Sequence, residues 1–147
     1  MDSVTQAIDP TLMRAKTRVG TVLREKWRID ALLGVGGMAA VYAATHRNGT
    51  RAAVKVLHPE LVTHPSIRSR FLKEGYVANR IDHPGAVRVT DDDTAEDGSM
   101  FLVMELLDGE DLKSFARRFP RGEDMAGDPL FREVLTQVLS ALDYIHT

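Results

Sequence analysis

The 147 residues contain no cysteine. That absence alone excludes a disulfide scaffold, a thiolate zinc site and a cysteine nucleophile. A reducing compartment fits it. Long apolar runs are also missing. Stretches such as Phe101–Met104 fall far short of the ~20 residues of a spanning helix. Met1 to Gly20 carries no apolar block of the signal-peptide kind. A cytoplasmic chain without a membrane segment is the expectation. Nor is one sign of charge in excess. The 19 basic and 21 acidic residues leave a net charge of −2, which gives no footprint for nucleic acid. What remains is 44% hydrophobic and 27% charged, the mixture of an ordinary globular protein.

Hydrophobic periodicity divides the chain. Residues 1–20 are polar and broken by Pro10, and read as a tail or short helix outside the core. Trp27, Ile29, Ala31 and Leu33 share one face and Arg28, Asp30 and Leu32 the other, the period of a half-buried strand. The glycine turn Gly34-Val35-Gly36-Gly37 follows. A second strand over 40–45 leads to Asn48-Gly49, a tight hairpin signal. A third strand over 51–57 groups Ala53, Lys55 and Leu57 on one face and Val54 and Val56 on the other. Ile67, Phe71, Ala78 and Ile81 then recur at helical spacing over 66–81, with Thr63 to Pro65 as a start signal. His83-Pro84-Gly85 ends that helix. Two more strands are predicted over 86–90 and 100–107, with Asp91, Asp92, Asp93, Glu96 and Asp97 in a solvated loop between them. A short helix over 111–119 and a loop from Pro120 to Gly127 come next. Asp128-Pro129 forms a cap and first-turn pair for a final helix. Its apolar stripe is Phe131, Val134, Val138, Ala141, Leu142 and Ile145.

Three features bear on chemistry. Glycines between two strands let backbone N–H groups close over phosphate oxygens, although a glycine cluster is also what a flexible hairpin uses. Lys55 lies in a strand between two valines, where an exposed side chain is the ordinary explanation. Glu74 lies on the apolar face of the helix and needs a partner if buried. A rim position or a neighbouring arginine such as Arg70 would satisfy it. A bridge to Lys55 would satisfy both residues and hold the ammonium beneath the glycine turn. Together the features describe a polyphosphate held between a glycine lid and a positioned lysine.

At these residues the chain resembles the protein kinase family, and within it the bacterial serine/threonine kinases of the eukaryotic-like type. Leu33-Gly34-Val35-Gly36-Gly37-Met38-Ala39-Ala40-Val41 resembles the family's glycine-rich loop. Ala52-Ala53-Val54-Lys55 is similar to its third-strand lysine motif, Glu74 to that lysine's partner, and 101–107 to the fifth strand and hinge. The resemblance runs from about Trp27 onward and implies an α+β fold. That fold is a five-stranded antiparallel sheet with one helix, then a hinge and the first two helices of a truncated second lobe. The implied division is a tail (1–20), an ATP-binding lobe (21–107), and a hinge with the start of a helical lobe (108–147).

The resemblance also implies roles. The backbone of Gly34 to Ala40 would cover the phosphates of ATP, and Lys55 would contact the α- and β-phosphates. Leu33, Val41 and Ala53 would roof the adenine, and Met104 matches the gatekeeper. The backbone of Glu105 and Leu107 would meet the adenine edge, and Asp111 the ribose. One departure is Ala39 at the third loop glycine, expected to alter lid mobility. No His-Arg-Asp or Asp-Phe-Gly sequence occurs, so the family's catalytic Asp and its magnesium ligands are missing and no metal site is assigned. His146 lies in the final helix, and no Arg-Asp follows it. Mg-ATP and a protein hydroxyl are the implied substrates of the intact enzyme, with this chain by itself inactive. The alternative is a non-catalytic nucleotide-sensing module, with a protein partner on the final helix's apolar stripe. A dinucleotide-binding turn, Gly34-x-Gly36-x-x-Ala39, is disfavoured, because the preceding strand alternates and a hairpin follows. Arg117, Arg118 and Arg121 form a basic cluster that reads as a solvated helix face.

Overall fold

A computed structural model describes residues 9–119 and 127–146, with the side chains of 141 and 143–146 left aside. The expectations for residues 1–8, for 120–126 including Arg121, and for the side chains of Ala141, Ile145 and His146 lie outside the described residues.

The elements are α1 (Pro10–Thr17), β1 (Val22–Leu23), β2 (Trp27–Val35), β3 (Ala39–His46), β4 (Arg51–Leu57), α2 (Pro65–Asn79), β5 (Val89–Thr94), β6 (Met100–Met104), α3 (Leu112–Ala116) and α4 (Pro129–His146). Six antiparallel strands form one sheet in the order β1-β2-β3-β4-β6-β5. The sixth, β1, has only two residues, too few for alternation to reveal it. Asn48-Gly49 closes the β3–β4 hairpin as expected. Gly49 supplies the left-handed φ of 92°, and Asn48 Oδ1 accepts from the Thr50 N–H.

Alternation sorts the side chains into two cores, one on each face of the sheet. Ile29, Ala40, Tyr42, Ala44, Val54, Val56, Phe101 and Val103 lie on one face, under Ala15 of α1. Ala39, Leu57, Met100 and Leu102 lie on the other, under Phe71 of α2. Helix α1 is thus part of the fold and not a tail outside the core. Tyr42 Oη donates to the Ala15 carbonyl at 2.8 Å, and Arg18 pairs with Asp97 at 2.8 Å.

Strand β2 departs from simple alternation. Register irregularities between Ile29 and Ala31 and between Leu32 and Gly34 swap its faces. Ala31 and Leu33 therefore face solvent, while Leu32 packs on the first core. Strand β5 starts later than expected and contains Asp91, Asp92 and Asp93 instead of leaving them in a loop. It is an edge strand, where charged side chains reach water and discourage further pairing. Asn79 fastens the end of α2 to this strand through two bonds to the Val89 backbone, at 2.6 and 2.8 Å.

Candidate functional site

Lys55 stands at the centre of a cross-strand row. Its partner on β3 is Val41 and its partner on β6 is Leu102. The next row is Ala43–Ala53–Met104. All six side chains project from one face, because their strand neighbours fill the opposite core. The sheet thus places a half-buried lysine beside an apolar patch of Val41, Ala53 and Met104. Leu33 reaches the end of this region 55% exposed.

The expected Lys55–Glu74 bridge is not formed. Glu74 is exposed and pairs with Arg70 at 2.7 Å, one helical turn away. The rotation of α2 explains this. Its sheet-facing row contains Ile67, Phe71 and Gly75, and Gly75 rests on Leu102. Glu74 lies about 100° around the helix from Gly75, which puts it at the edge of the contact. A local i,i+4 partner is available there without any tertiary ordering. The Arg70 hydrogen bond holds the Glu74 carboxyl below the usual carboxylate range, opposed by slight desolvation and aided by the charges of Arg70 and Lys55. Lys55 itself lies over the Phe71 ring, 5.9 Å from its centroid. Among the described residues no carboxylate lies within ion-pair distance of its ammonium.

The glycine turn joins β2 to β3. Gly36 N–H donates to the Ala39 carbonyl at 2.8 Å. Gly34 and Gly37 have open space where a Cβ would stand, so a ligand can approach the backbone there. Ala39 is buried against Leu57 on the next strand. A residue that sequence patterning missed, His58, is only 6% exposed and reaches back to this turn. Its ring Nε2 is 2.7 Å from the Gly36 carbonyl. The signal was present, since His58 continues the inward parity of Val54 and Val56. A cavity of about 680 Å³ lies between the turn and the start of α1, lined by Thr11, Leu32, Gly34, Gly36, Gly37 and His58 among others. It is on the side of the sheet opposite Lys55.

Beyond the sheet, the Glu105 N–H donates to the Arg88 carbonyl at 3.1 Å, which ties the chain leaving β6 to the start of β5. Leu107 is 62% exposed. Asp111 caps α3, with Oδ1 accepting from the Ser114 N–H and Oδ2 from its hydroxyl. These bonds from Ser114 hold its carboxyl below the usual range. Asp128 caps α4 through the N–H groups of Leu130 and Phe131.

Glycine turn, lysine row and covering helix occur in the order that the family resemblance implies. The pattern of the protein kinase domain matches residues 27–147. The chain belongs to the protein kinase family. Its relatives include the serine/threonine-protein kinase pkn3 of Myxococcus xanthus, 35% identical over 130 residues, which are 87% of this chain and 23% of that protein. Serine/threonine-protein kinase PknH of Mycobacterium tuberculosis is 36% identical over 131 residues, 88% of this chain and 20% of that protein. Among solved structures, the PknI kinase domain of M. tuberculosis aligns with a TM-score of 0.62 and 30% identity, covering 86% of this chain and 49% of that one. This kinase-family chain thus spans about a fifth to a quarter of those two relatives and half of that solved domain. The sheet and α2 correspond to the family's first lobe. Among the described residues no helix is long and apolar enough to cross a membrane.

Proposed function

We propose that this lobe binds ATP on the Lys55 face of the sheet, as the nucleotide-holding part of a serine/threonine protein kinase. The observation that carries the reading is Lys55 itself. It is a half-buried residue between Val41 and Leu102 in the cross-strand row, without a carboxylate in ion-pair range among the described residues. An anion there would gain a charge-assisted contact that nothing in the sheet already supplies. The apolar patch of Val41, Ala53 and Met104, with Leu33 at its margin, suits a flat base. The open backbone at Gly34 and Gly37 suits phosphate oxygens. Glu105 and Leu107 offer backbone groups to the base edge, and Asp111 a carboxylate to the ribose.

In the intact enzyme a protein Ser or Thr hydroxyl would attack the γ-phosphorus. The bond to the β–γ bridging oxygen would break, ADP would leave and the hydroxyl proton would pass to a base. Family members take that base, and the magnesium that neutralises the phosphates, from residues this sequence does not contain. Among the described residues no three His, Cys, Asp or Glu side chains lie together as metal ligands. On this reading the chain by itself holds nucleotide, and phosphoryl transfer belongs to the intact enzyme. Because ATP is a cytoplasmic metabolite, the reading places this lobe in the cytoplasm.

Titration calorimetry tests the reading. ATP should bind the folded chain, and Lys55→Met should weaken it about tenfold or more. Equal affinity in wild type and Lys55→Met would overturn the assignment. Transfer of radiolabelled phosphate by the purified chain, abolished by Lys55→Met, would overturn its inactivity. A second reading, a nucleotide-sensing interaction module, draws on α4. Leu135, Val138, Leu139 and Leu142 are 46–56% exposed on that helix. A monodisperse monomer at high concentration, with no binding of a hydrophobic dye, would remove its basis.

A further inference from the structure

His58 holds both arms of the glycine turn. Its backbone N–H donates to the Met38 carbonyl at 2.8 Å, and its ring Nε2 lies 2.7 Å from the Gly36 carbonyl. A carbonyl oxygen can only accept, so Nε2 carries the proton. The ring lies on the Val54/Val56 side of β4, where Leu32, Val35 and the start of α1 line the same cavity. Lys55 projects from the other side.

Peptide planarity then sets a direction. In a trans peptide the C=O and the following N–H point in opposite directions, and no cis peptide is present among the described residues. With the Gly36 carbonyl drawn toward the His58 ring, the Gly37 N–H points away from that ring. A peptide between two glycines has no Cβ to resist rotation and can flip at little cost. Flipped, it would present a carbonyl oxygen in place of that N–H, and a carbonyl oxygen repels an anion.

We propose that His58 is a positioning residue that locks the Gly36–Gly37 peptide with its N–H aimed at the phosphate side of the turn. The proposal rests on the nucleotide reading above and adds the group that orients the loop. Lysine and lock lie three residues apart, Lys55 in β4 and His58 immediately after its last residue, Leu57.

The test compares wild type, His58→Leu and His58→Gln for ATP and for adenosine, which has no phosphates. His58→Leu should bind ATP about tenfold more weakly, the scale of one hydrogen bond, with adenosine affinity unchanged. His58→Gln, whose amide can donate, should recover most of the loss. Equal loss of ATP and adenosine, or no loss in a folded His58→Leu protein, overturns the lock. Two measurements without nucleotide keep the outcomes separable. The Gly37 amide resonance should be sharp in wild type and broadened by peptide exchange in His58→Leu; an unchanged resonance overturns the proposal. In wild type, ¹⁵N shifts of the neutral His58 ring should show the Nε2–H tautomer; the Nδ1–H tautomer overturns it even if His58→Leu fails to fold. If wild type binds neither ligand, the nucleotide reading falls while these two signals still decide the lock.

Discussion

Gly75 of α2 rests so closely on Leu102 of β6 that a Cβ built on it would stand 2.5 Å from Leu102 Cδ1. Leu102 is 1% exposed, so its side chain is held by its neighbours. A helix-interior glycine ordinarily costs about 1 kcal/mol relative to alanine. Here it lets the helix reach the sheet. Gly75→Ala should lower the stability by about 1 kcal/mol, because overpacking of ~1–3 kcal/mol outweighs the propensity gain. Urea denaturation checks this. A higher midpoint would mean that Leu102 can move aside.

The same contact sets the rotation that leaves Glu74 with Arg70. Removing the guanidinium, in Arg70→Ala, should raise the Glu74 pKa toward the ordinary carboxylate value, with Lys55 left as the remaining cation. A carboxylate whose folded pKa is depressed stabilises the fold above its unfolded pKa. It loses that contribution as pH falls through the folded pKa. The loss therefore lies in the acid range, below about pH 4.3, and Arg70→Ala should narrow it. NMR titration of the Glu74 carboxyl carbon reads the shift directly. An unmoved pKa would show that the Arg70 hydrogen bond does not govern it.

Helix α1 hangs on Tyr42, which is 2% exposed and donates to the Ala15 carbonyl. Tyr42→Phe keeps the ring in the first core and deletes this bond. A loss of about 1 kcal/mol is expected, with an unchanged urea m-value because the folded surface is conserved. A wild-type midpoint would mean that the ring's packing, and not its hydroxyl, retains the helix.

How far the sequence could be read depended on where each signal was written. The β3–β4 hairpin and the Lys55 face were legible, because alternation and Asn48-Gly49 are local. Asp128-Pro129 announced α4, and the same Asp-Pro pair at residues 9–10 caps α1, with Asp9 Oδ1 accepting from the Thr11 N–H. In the sequence Pro10 reads only as a break, because the segment is polar and only Ala15 of α1 is buried. The irregularities in β2 could not be seen, because a face swap follows from pairing with β3. Glu74 was misplaced for a related reason. Helical spacing puts it near Phe71, but the rotation of α2 is fixed by Gly75 meeting Leu102 on a strand 27 positions later.

Ala39 stands where the resemblance puts the family's third loop glycine, and its surroundings account for a side chain there. It is 4% exposed, stands opposite Leu57 and belongs to the second core. Its φ is not positive, so the backbone has no need of glycine. Ala39→Gly would remove a buried methyl, worth about 0.8 kcal/mol, and add strand entropy of about 0.5–1 kcal/mol. A stability loss of about 1.5 kcal/mol is expected on those two terms. The Ala39 carbonyl, which accepts from Gly36 at 2.8 Å, survives the change. Affinity for ATP should therefore stay within about twofold, since no polar contact is removed. Paired urea and ATP titrations separate the two effects. Tighter ATP binding by Ala39→Gly would show that the methyl restrains the lid instead of filling the core.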